Sequence, residues 1–429
     1  MKAGPVAVWA LVALLGLPLP GQGGLDAPLG PCPFDGKDFR GRIAWSGDGN
    51  FNDEDDWAAS PVALAILARC GVAGKLVHFN YNSILARTDP NWEREHERSV
   101  LGAAERFGFR RAVFHDCRKD LAGALSGIAR AIDESSAENP LYFILAGPMD
   151  VPYRGIAKSD PAKRRFVYCI SHSRWNDGYA RNYKHTANKR QVISQGVHWV
   201  QIVDQNRYLS TSPYGRPARA DEWKAWRWMR DSTDPGLRFL WDRMRASKRS
   251  DCSDAGMAWF LMTGDQETEI AKLRRLLEGR DTPRPVAARE QVRIEAESFQ
   301  ALDGYEAEDR NDRRASHRLN VRLSSAGAGR IRTCFDEPYV AAAAVYDVDV
   351  RYFGEAGGRC ELALFVNGAR RGPAWPAAAA KQTWLTRTAP DVRIRRGDEI
   401  TVEVRGGARG GGRLDYVQLN FKGRGGEEK

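Results

Sequence analysis

The alternation of apolar and polar positions divides the chain into three parts. Near the start, Val6 to Leu19 is an almost unbroken apolar run, preceded by Lys2 and followed by Gly21 and Gly23. At about 14 residues it is shorter than the ~20 needed to span a bilayer, and the small residues suit cleavage. Residues 1–23 therefore read as a signal peptide and the protein as secreted or periplasmic, with no membrane partner. From Arg42 to Arg275, short β-type apolar runs alternate with helical patterns. Strands are expected at 42–46, 75–79, 112–115, 141–146, 165–171 and 198–203, and helices at 55–70, 93–107 and 120–134. Such alternation predicts an α/β domain over 40–278, a mostly parallel sheet with helices on both faces. Ligands of such sheets collect at the carboxyl ends of the strands.

Residues 281–288, DTPRPVAA, hold two prolines that break helix and sheet, so 279–290 reads as a linker. Beyond it the pattern is all-β. Runs at 291–297, 340–353, 360–366, 383–388, 399–404 and 414–421 alternate or are β-branched. Asn367-Gly368, Arg396-Gly397-Asp398 and Gly410–Gly412 punctuate them as turns. Residues 291–422 are expected to form an all-β sandwich.

With 429 residues, 42% hydrophobic and 28% charged, the chain can bury a core in each of two or three domains, which excludes disorder and collagen. The net charge is +10, but 65 basic residues are scattered among 55 acidic ones without a basic block. A nucleic-acid footprint would be concentrated on one stripe, so no nucleic-acid partner is expected. The seven cysteines form no CxxC and no cluster with histidine, which argues against zinc. Cys334 and Cys360 read either as a disulfide pair or as two small buried apolar residues. The tryptophans of 222–245 (Trp223, Trp226, Trp228 and Trp241) read as an inward-packing face or as an aromatic wall for sugar rings.

The segment richest in chemistry is Ser46-Gly47-Asp48-Gly49-Asn50-Phe51-Asn52-Asp53-Glu54-Asp55-Asp56, between an expected strand and helix. Its acids and amides suit Ca²⁺, which takes six to eight oxygen ligands in irregular geometry. Acids at a helix start also oppose the helix dipole, which accounts for Asp53–Asp56 but not for Asp48 and Asn50.

This loop resembles the aspartate-rich motif of the nucleoside hydrolases, in which a strand ends in Asp and an Asp-Asp pair opens a helix. Asp48 and Asp55-Asp56 take those places. The turn between them is longer than in true nucleosidases. In this it is closer to the nucleoside-hydrolase-like proteins found with polysaccharide-binding modules in environmental bacteria. Asn80 and Asn82, in LVHFNYN, fall where the family places a substrate-binding Asn. Ala146-Gly147-Pro148-Met149 resembles the strand-end turn that lends the metal a main-chain carbonyl. Ser253-Asp254 and the apolar residues after it resemble the late motif whose Asp closes the metal site. Gln201–Asn206 resembles a Glu-x-Asn motif, with Asp204 in place of Glu and Asn206 kept. His172, Asn176 and Asp177, after the strand at 165–171, are expected to face the same cleft, ordinary loop polarity being the alternative. The resemblance implies Ca²⁺ held by Asp48, Asp55, Asp56, Asp254 and the Ala146 carbonyl, with Asp48 as catalytic base. It implies substrate contacts from Asn80 or Asn82, Asp204 and Asn206, and the loop and strand-end positions add Asn50, His172, Asn176 and Asp177 as substrate-binding candidates. One departure stands out: purine-type nucleosidases carry a His before the late Asp, and here that residue is Ser253.

Ile294-Glu295-Ala296-Glu297-Ser298 and Leu414-Asp415-Tyr416-Val417 resemble the two ends of family 6 and family 35 carbohydrate-binding modules. That resemblance implies a structural Ca²⁺ at Glu295, Glu297 and Asp415; a charge-guarded strand edge is the alternative. Tyr305, Trp375 and Trp384 are aromatic candidates for stacking on a sugar. Together these readings describe an exported Ca²⁺-dependent hydrolase of glycosidic or N-glycosidic bonds. Its partner would be a saccharide or nucleoside-like small molecule, or a polysaccharide. The competing reading is a non-catalytic carbohydrate-binding protein that keeps the metal loop for structure.

Overall fold

The computed structural model describes residues 32–424 except 36, 88, 179–185, 214–215, 283, 309–311 and 358–359; the segment read as a signal peptide lies outside the described residues. Six strands build the first sheet: β1 (Arg42–Gly47), β2 (Leu76–Tyr81), β3 (Phe114–Asp116), β4 (Leu141–Ala146), β5 (Val167–Ser171) and β6 (His198–Gln201). All neighbouring pairs are parallel. The order is β3-β2-β1-β4-β5-β6, so the direction of winding reverses between β1 and β4. A crevice opens at such a reversal, beyond the carboxyl ends of the two strands. β4 (LYFILA) is buried throughout, as a central parallel strand covered on both faces must be.

Alternate side chains of β1 enter different cores. Ile43 and Trp45 pack with α1 (Asp56–Arg69) and α2 (Pro90–Arg106), whereas Ala44 joins α3 (Leu121–Asp133) and α4 (Asp150–Ala157) on the opposite face. The first of these cores also takes in α5 (Pro235–Ala246), α6 (Ala255–Thr263) and α7 (Ile270–Leu277). Trp223, Trp226 and Trp228 are buried in it, so the tryptophan-rich segment packs inward. Among the described residues, no helix is long and apolar enough to cross a membrane.

The second domain is two antiparallel sheets. One is ordered β8 (Ala301–Asp303), β11 (Gly327–Cys334), β15 (Glu399–Gly407), β13 (Glu361–Val366), the last also pairing with two two-residue strands. The other is ordered β9 (Tyr305–Glu308), β10 (Asn320–Leu323), β16 (Leu414–Gly423), β12 (Ala343–Gly354), β14 (Thr383–Arg395). The opening strand β7 (Gln291–Glu295) pairs with the closing strand β16, so the two ends of the sandwich meet. All seven cysteines are unpaired, including Cys334, whose thiol donates to the Gly397 carbonyl, and the buried Cys360.

The sandwich is docked on the first domain rather than hung from it. β7 lies against the edge strand β6. Tyr339 is buried in the first domain's core and donates from its hydroxyl to the Leu261 carbonyl at 2.6 Å. Tyr168, on β5, donates to Asp336 at 2.6 Å, and the same carboxylate is paired with Arg396. Residues 281–290 form no helix or strand in the described part, yet Val286 donates to the Thr263 carbonyl and Arg289 to the Tyr339 carbonyl, pinning the segment at the seam.

Candidate active site

The reversal of strand order sets the site. Asp48 follows β1 and Ala146 ends β4, and the two strands are in register at Gly47 and Ala146. A Cβ at Gly147 would come within 2.9 Å of the Asp48 backbone nitrogen, so the close approach of the two strand ends needs glycine there. Gly49 turns the chain through φ +86° beside Asp56 and His96. The Trp57 indole donates to the Gly49 carbonyl at 2.8 Å and fixes the turn. His96 is buried beneath it between Ser60 and Asn82, and burial pulls its imidazolium down to about 3, so the ring is neutral.

The loop then brings Asp48, Asp53 and Asp56 together, one carboxylate oxygen from each lying within 4.8 Å of the others. Asp48 is fully buried and Asp56 nearly so, and none of their four carboxylate oxygens has a hydrogen-bond donor. Burial raises Asp48 to about 7, with the charges of Asp254 and Asp55 adding to it. Asp53 and Asp56 are also driven well above the usual carboxylate range, first by burial and then by their neighbours' charge. Asp48 and Asp56 are close enough to share a proton, which is how such oxygens pair with one another when no cation does it for them.

Two further acids close the cluster. Asp254, preceding α6, is pushed up by burial, and its Oδ1 lies 2.5 Å from His172 Nε2. Asp251 is buried and raised to about 7, first by burial and next by the charge of Asp55, and accepts from the Ser253 amide at 2.9 Å. Asp53, not named among the expected ligands, belongs to the close trio; Asp55, expected as a ligand, has a buried Oδ1 without a donor, and its charge acts on Asp53 and on Asp251. Asp53 went unnoticed because it belongs to an acid run that a helix N-terminus explains. Asp251 carries no spacing signal at all.

His172 links the acids to the cleft. Its Nε2 faces Asp254 at 2.5 Å and its Nδ1 faces Asp204 at 3.6 Å, so the ring lies between two carboxylates. Burial works against a charged ring, but hydrogen bonding with Asp204 and Asp254 outweighs it and raises His172 to about 10. Burial pushes Asp204 up as well, yet its bonds with His172 and Asn206 hold it well below the carboxylate range. Asp177 accepts from Ser171 at 2.6 Å, and the Asn176 side-chain oxygen is buried without a donor.

The asparagines of the first strands are committed elsewhere. Asn50 holds the backbone of Ile84 by both ends of its amide, at 2.9 and 3.1 Å. Asn80 donates to Ser46 at 2.9 Å and accepts from His78. Asn82 sits at φ +58°, donating to the Glu93 carbonyl and accepting from His96. These three shape the loop from below.

In the sandwich, Glu295, Glu297 and Asp415 are all buried near the seam. Asp415 is raised to about 8 by burial and by Glu295, while its oxygens take the Ser316 amide and Arg351. Glu295 Oε2 and Glu297 Oε2 have no donor. Glu297 Oε1 instead meets Lys189 of the first domain at 3.3 Å, so part of this acid cluster is balanced by a protein cation.

No protein-family model matches the chain. Among solved structures, it aligns with the β-(1,4)-mannanase of Podospora anserina that carries a family 35 carbohydrate-binding module, at 20% identity and a TM-score of 0.25. That alignment covers 32% of this chain and 29% of that one, so the chain spans under a third of the mannanase. It also aligns with a family 35 carbohydrate-binding module from Clostridium thermocellum, at 16% identity and a TM-score of 0.24, over 30% of this chain and 98% of that one. A sequence relative is the uncharacterized protein P22 of Formosa agariphila, 30% identical over 266 residues, which are 57% of this chain and 93% of P22. The match is longer than the sandwich, so it extends into the α/β domain. With nearly the whole of that relative aligned, this chain belongs to the same family as P22 of Formosa agariphila.

Proposed function

We propose that the protein is an exported, Ca²⁺-dependent hydrolase of glycosidic or N-glycosidic bonds that acts on a saccharide, with its centre at Asp48, Asp53, Asp56 and Asp254. One observation carries this reading: four buried carboxylate oxygens of Asp48 and Asp56 without donors, next to Asp53, in the crevice where the sheet reverses. Uncompensated charge of that kind is costly unless a cation or protons meet it. An all-oxygen donor set suits a hard cation such as Ca²⁺. When bound there, the ion would orient sugar hydroxyls and lower the pKa of a water.

The chain's own residues supply the rest. Asp48 accepts a proton from the water as its oxygen attacks the anomeric carbon, and the bond to the leaving group breaks with the electron pair departing on a leaving group stable as its anion, such as a nitrophenolate. The remaining carboxylates stabilise the oxocarbenium-like charge on the sugar. His172, held between Asp204 and Asp254, keeps Asp254 aimed at the cluster. Ser253 cannot protonate a leaving base: it is buried, its amide is engaged with Asp251, and a hydroxyl is too weak an acid near neutral pH. This points away from purine nucleosides and towards substrates with good leaving groups; it is the appended sandwich, and not the missing acid, that favours a saccharide. The sandwich resembles carbohydrate-binding modules in its first and last strands, and its orphaned Glu295 and Glu297 oxygens fit a structural ion.

The reading is tested by screening 4-nitrophenyl glycosides, neutral and acidic oligosaccharides, and nucleosides, with and without a chelator. Hydrolysis lost in EDTA and restored by Ca²⁺ supports it. A protein that binds saccharides but cleaves none is the non-catalytic alternative. The full burial of Asp48 favours that alternative, since an enclosed ion serves structure better than catalysis. Against it, Asp53 is only half-buried and the Asp254 side chain is 14% exposed, which leaves a side open to solvent.

A further inference from the structure

The sandwich has an open side where its two sheets end. β13 carries the short strands at that end of one sheet, and β14 is the edge strand of the other. A cavity of about 70 Å³ lies in the gap, and its lining includes Val350, Leu364, Arg371, Trp375 and Arg387. Register places the side chains. Arg387 of β14 pairs with Val350 of β12, and residues paired in this way share a face of the sheet. Val350 belongs to the sandwich core, so Arg387 points into the gap and not to the outer face. Trp375 pairs with Leu362 of β13, which is also in the core, and the Arg371 amide donates to the Leu364 carbonyl. The two arginines thus reach the cavity from the edges of both sheets.

The lining offers donors and no acid. No carboxylate lines the cavity, and among the described residues neither guanidinium forms an ion pair. Arg371 Nε is buried without an acceptor. So is the indole N–H of Trp375, which is only 6% exposed and presents no open face for a sugar to stack on. The acids on the neighbouring strands are committed elsewhere: Asp349 accepts from Thr388 and Asn420, while Asp347 and Asp391 both meet Lys422. Two guanidinium groups at one cavity repel each other unless an anion stands between them. Their planar forks match the paired oxygens of a carboxylate or sulfate. The space suits a few waters or one such group rather than a whole sugar, so the ring that carries the group would remain at the mouth.

We propose that this cavity is an oxyanion site of the sandwich, at which Arg371 and Arg387 hold the carboxylate or sulfate group of an acidic saccharide. The site uses neither the acid cluster nor a metal ion, so it goes beyond the hydrolase reading and does not depend on it. It gives the second domain a ligand chemistry of its own, a negatively charged sugar.

The site is tested by calorimetric titration of the full-length protein in Ca²⁺-containing buffer with trigalacturonate, a sulfated heparin disaccharide, neutral maltotriose and inorganic sulfate. At least one acidic sugar should bind, at least tenfold more tightly than maltotriose. Arg387→Gln changes an exposed side chain, so its melting temperature should equal that of wild type, while it weakens the acidic sugar at least tenfold, the loss of one charge-assisted hydrogen bond. Arg387→Lys should recover only part of the affinity, because an ammonium keeps the charge without the fork. Asp56→Asn should leave the affinity unchanged, which separates this site from the first domain's. Unchanged binding in Arg387→Gln would overturn the proposal and leave the arginine as an inward-pointing guard of the edge strand. Binding of sulfate but of neither acidic sugar would overturn it in favour of a free-anion site. Equal affinity for maltotriose and the acidic sugars, or no binding of any probe, would also overturn it. The hydrolase reading is judged by cleavage alone, so none of these results touches it.

Discussion

Asp48→Asn should stabilise the metal-free protein. The carboxyl of Asp48 is buried without a donor, and it titrates near 7 in the folded chain against 3.8 when unfolded. A folded state that holds its proton more tightly than the unfolded state loses stability as pH rises between those two values. The loss begins near pH 4, is complete above about pH 7, and amounts to about 4 kcal/mol at 1.36 kcal/mol per pH unit. Asparagine keeps the shape, removes the charge and offers an N–H to Asp56. In EDTA at pH 8 the variant should therefore melt roughly 8–16 °C above wild type, at about 2–4 °C per kcal/mol for a domain of this size. At pH 4.5 the difference should shrink to about 2–4 °C, because only about 1 kcal/mol of the penalty has set in. Calorimetry at the two pH values, with EDTA and with Ca²⁺, reads all four states. Ca²⁺ should raise the wild-type melting temperature and do little for the variant. If Asp48→Asn lowers the melting temperature in EDTA at pH 8, the uncompensated charge inferred at the strand end is not there.

Lys189→Met should cost about 3 kcal/mol in urea unfolding at pH 8, because it leaves Glu297 buried and unpaired at the domain seam; a neutral effect would mean that another cation holds Glu297. Denatured protein should titrate seven thiols with Ellman's reagent before any reductant is added, and reductant should not lower the melting temperature; five thiols would indicate a disulfide. Inosine should be cleaved much more slowly than 4-nitrophenyl riboside, since Ser253 stands where an imidazole acid would; efficient Ca²⁺-dependent inosine hydrolysis would return the protein to the ordinary nucleosidases.

Elements buried on both faces were the most legible in the sequence. β4 begins and ends where its apolar run does, because a central parallel strand has no polar side to blur its ends. β14 was expected to stop at Thr388, before Ala389-Pro390, yet it runs to Arg395. The pairing shifts register there, opposite Tyr346 and Val348, and the irregularity absorbs Pro390 and a left-handed Asp391. In the site, Asp48, Asp56 and Asp254 were visible as a resemblance spread over distant segments. Asp53 was hidden by the helix-dipole explanation of its neighbours. Asp251 and Lys189 have no local pattern: each acquires its meaning only from a partner brought near by the docking of helices or of the sandwich. The asparagines were read as ligand contacts from their places at strand ends, while Asn50, Asn80 and Asn82 spend their amides on the loop itself.

Whether Asp48, Asp53, Asp56 and Asp254 hold a divalent cation is decided by titrating Ca²⁺ into EDTA-stripped protein by calorimetry, comparing wild type with Asp53→Asn and Asp56→Asn. Glu295 and Glu297 are untouched by these changes, so any ion held in the sandwich remains as an internal reference. Each variant should lose one binding event, or bind it at least tenfold more weakly, and any sandwich signal should persist. Isotherms identical in all three proteins would contradict a cation site there.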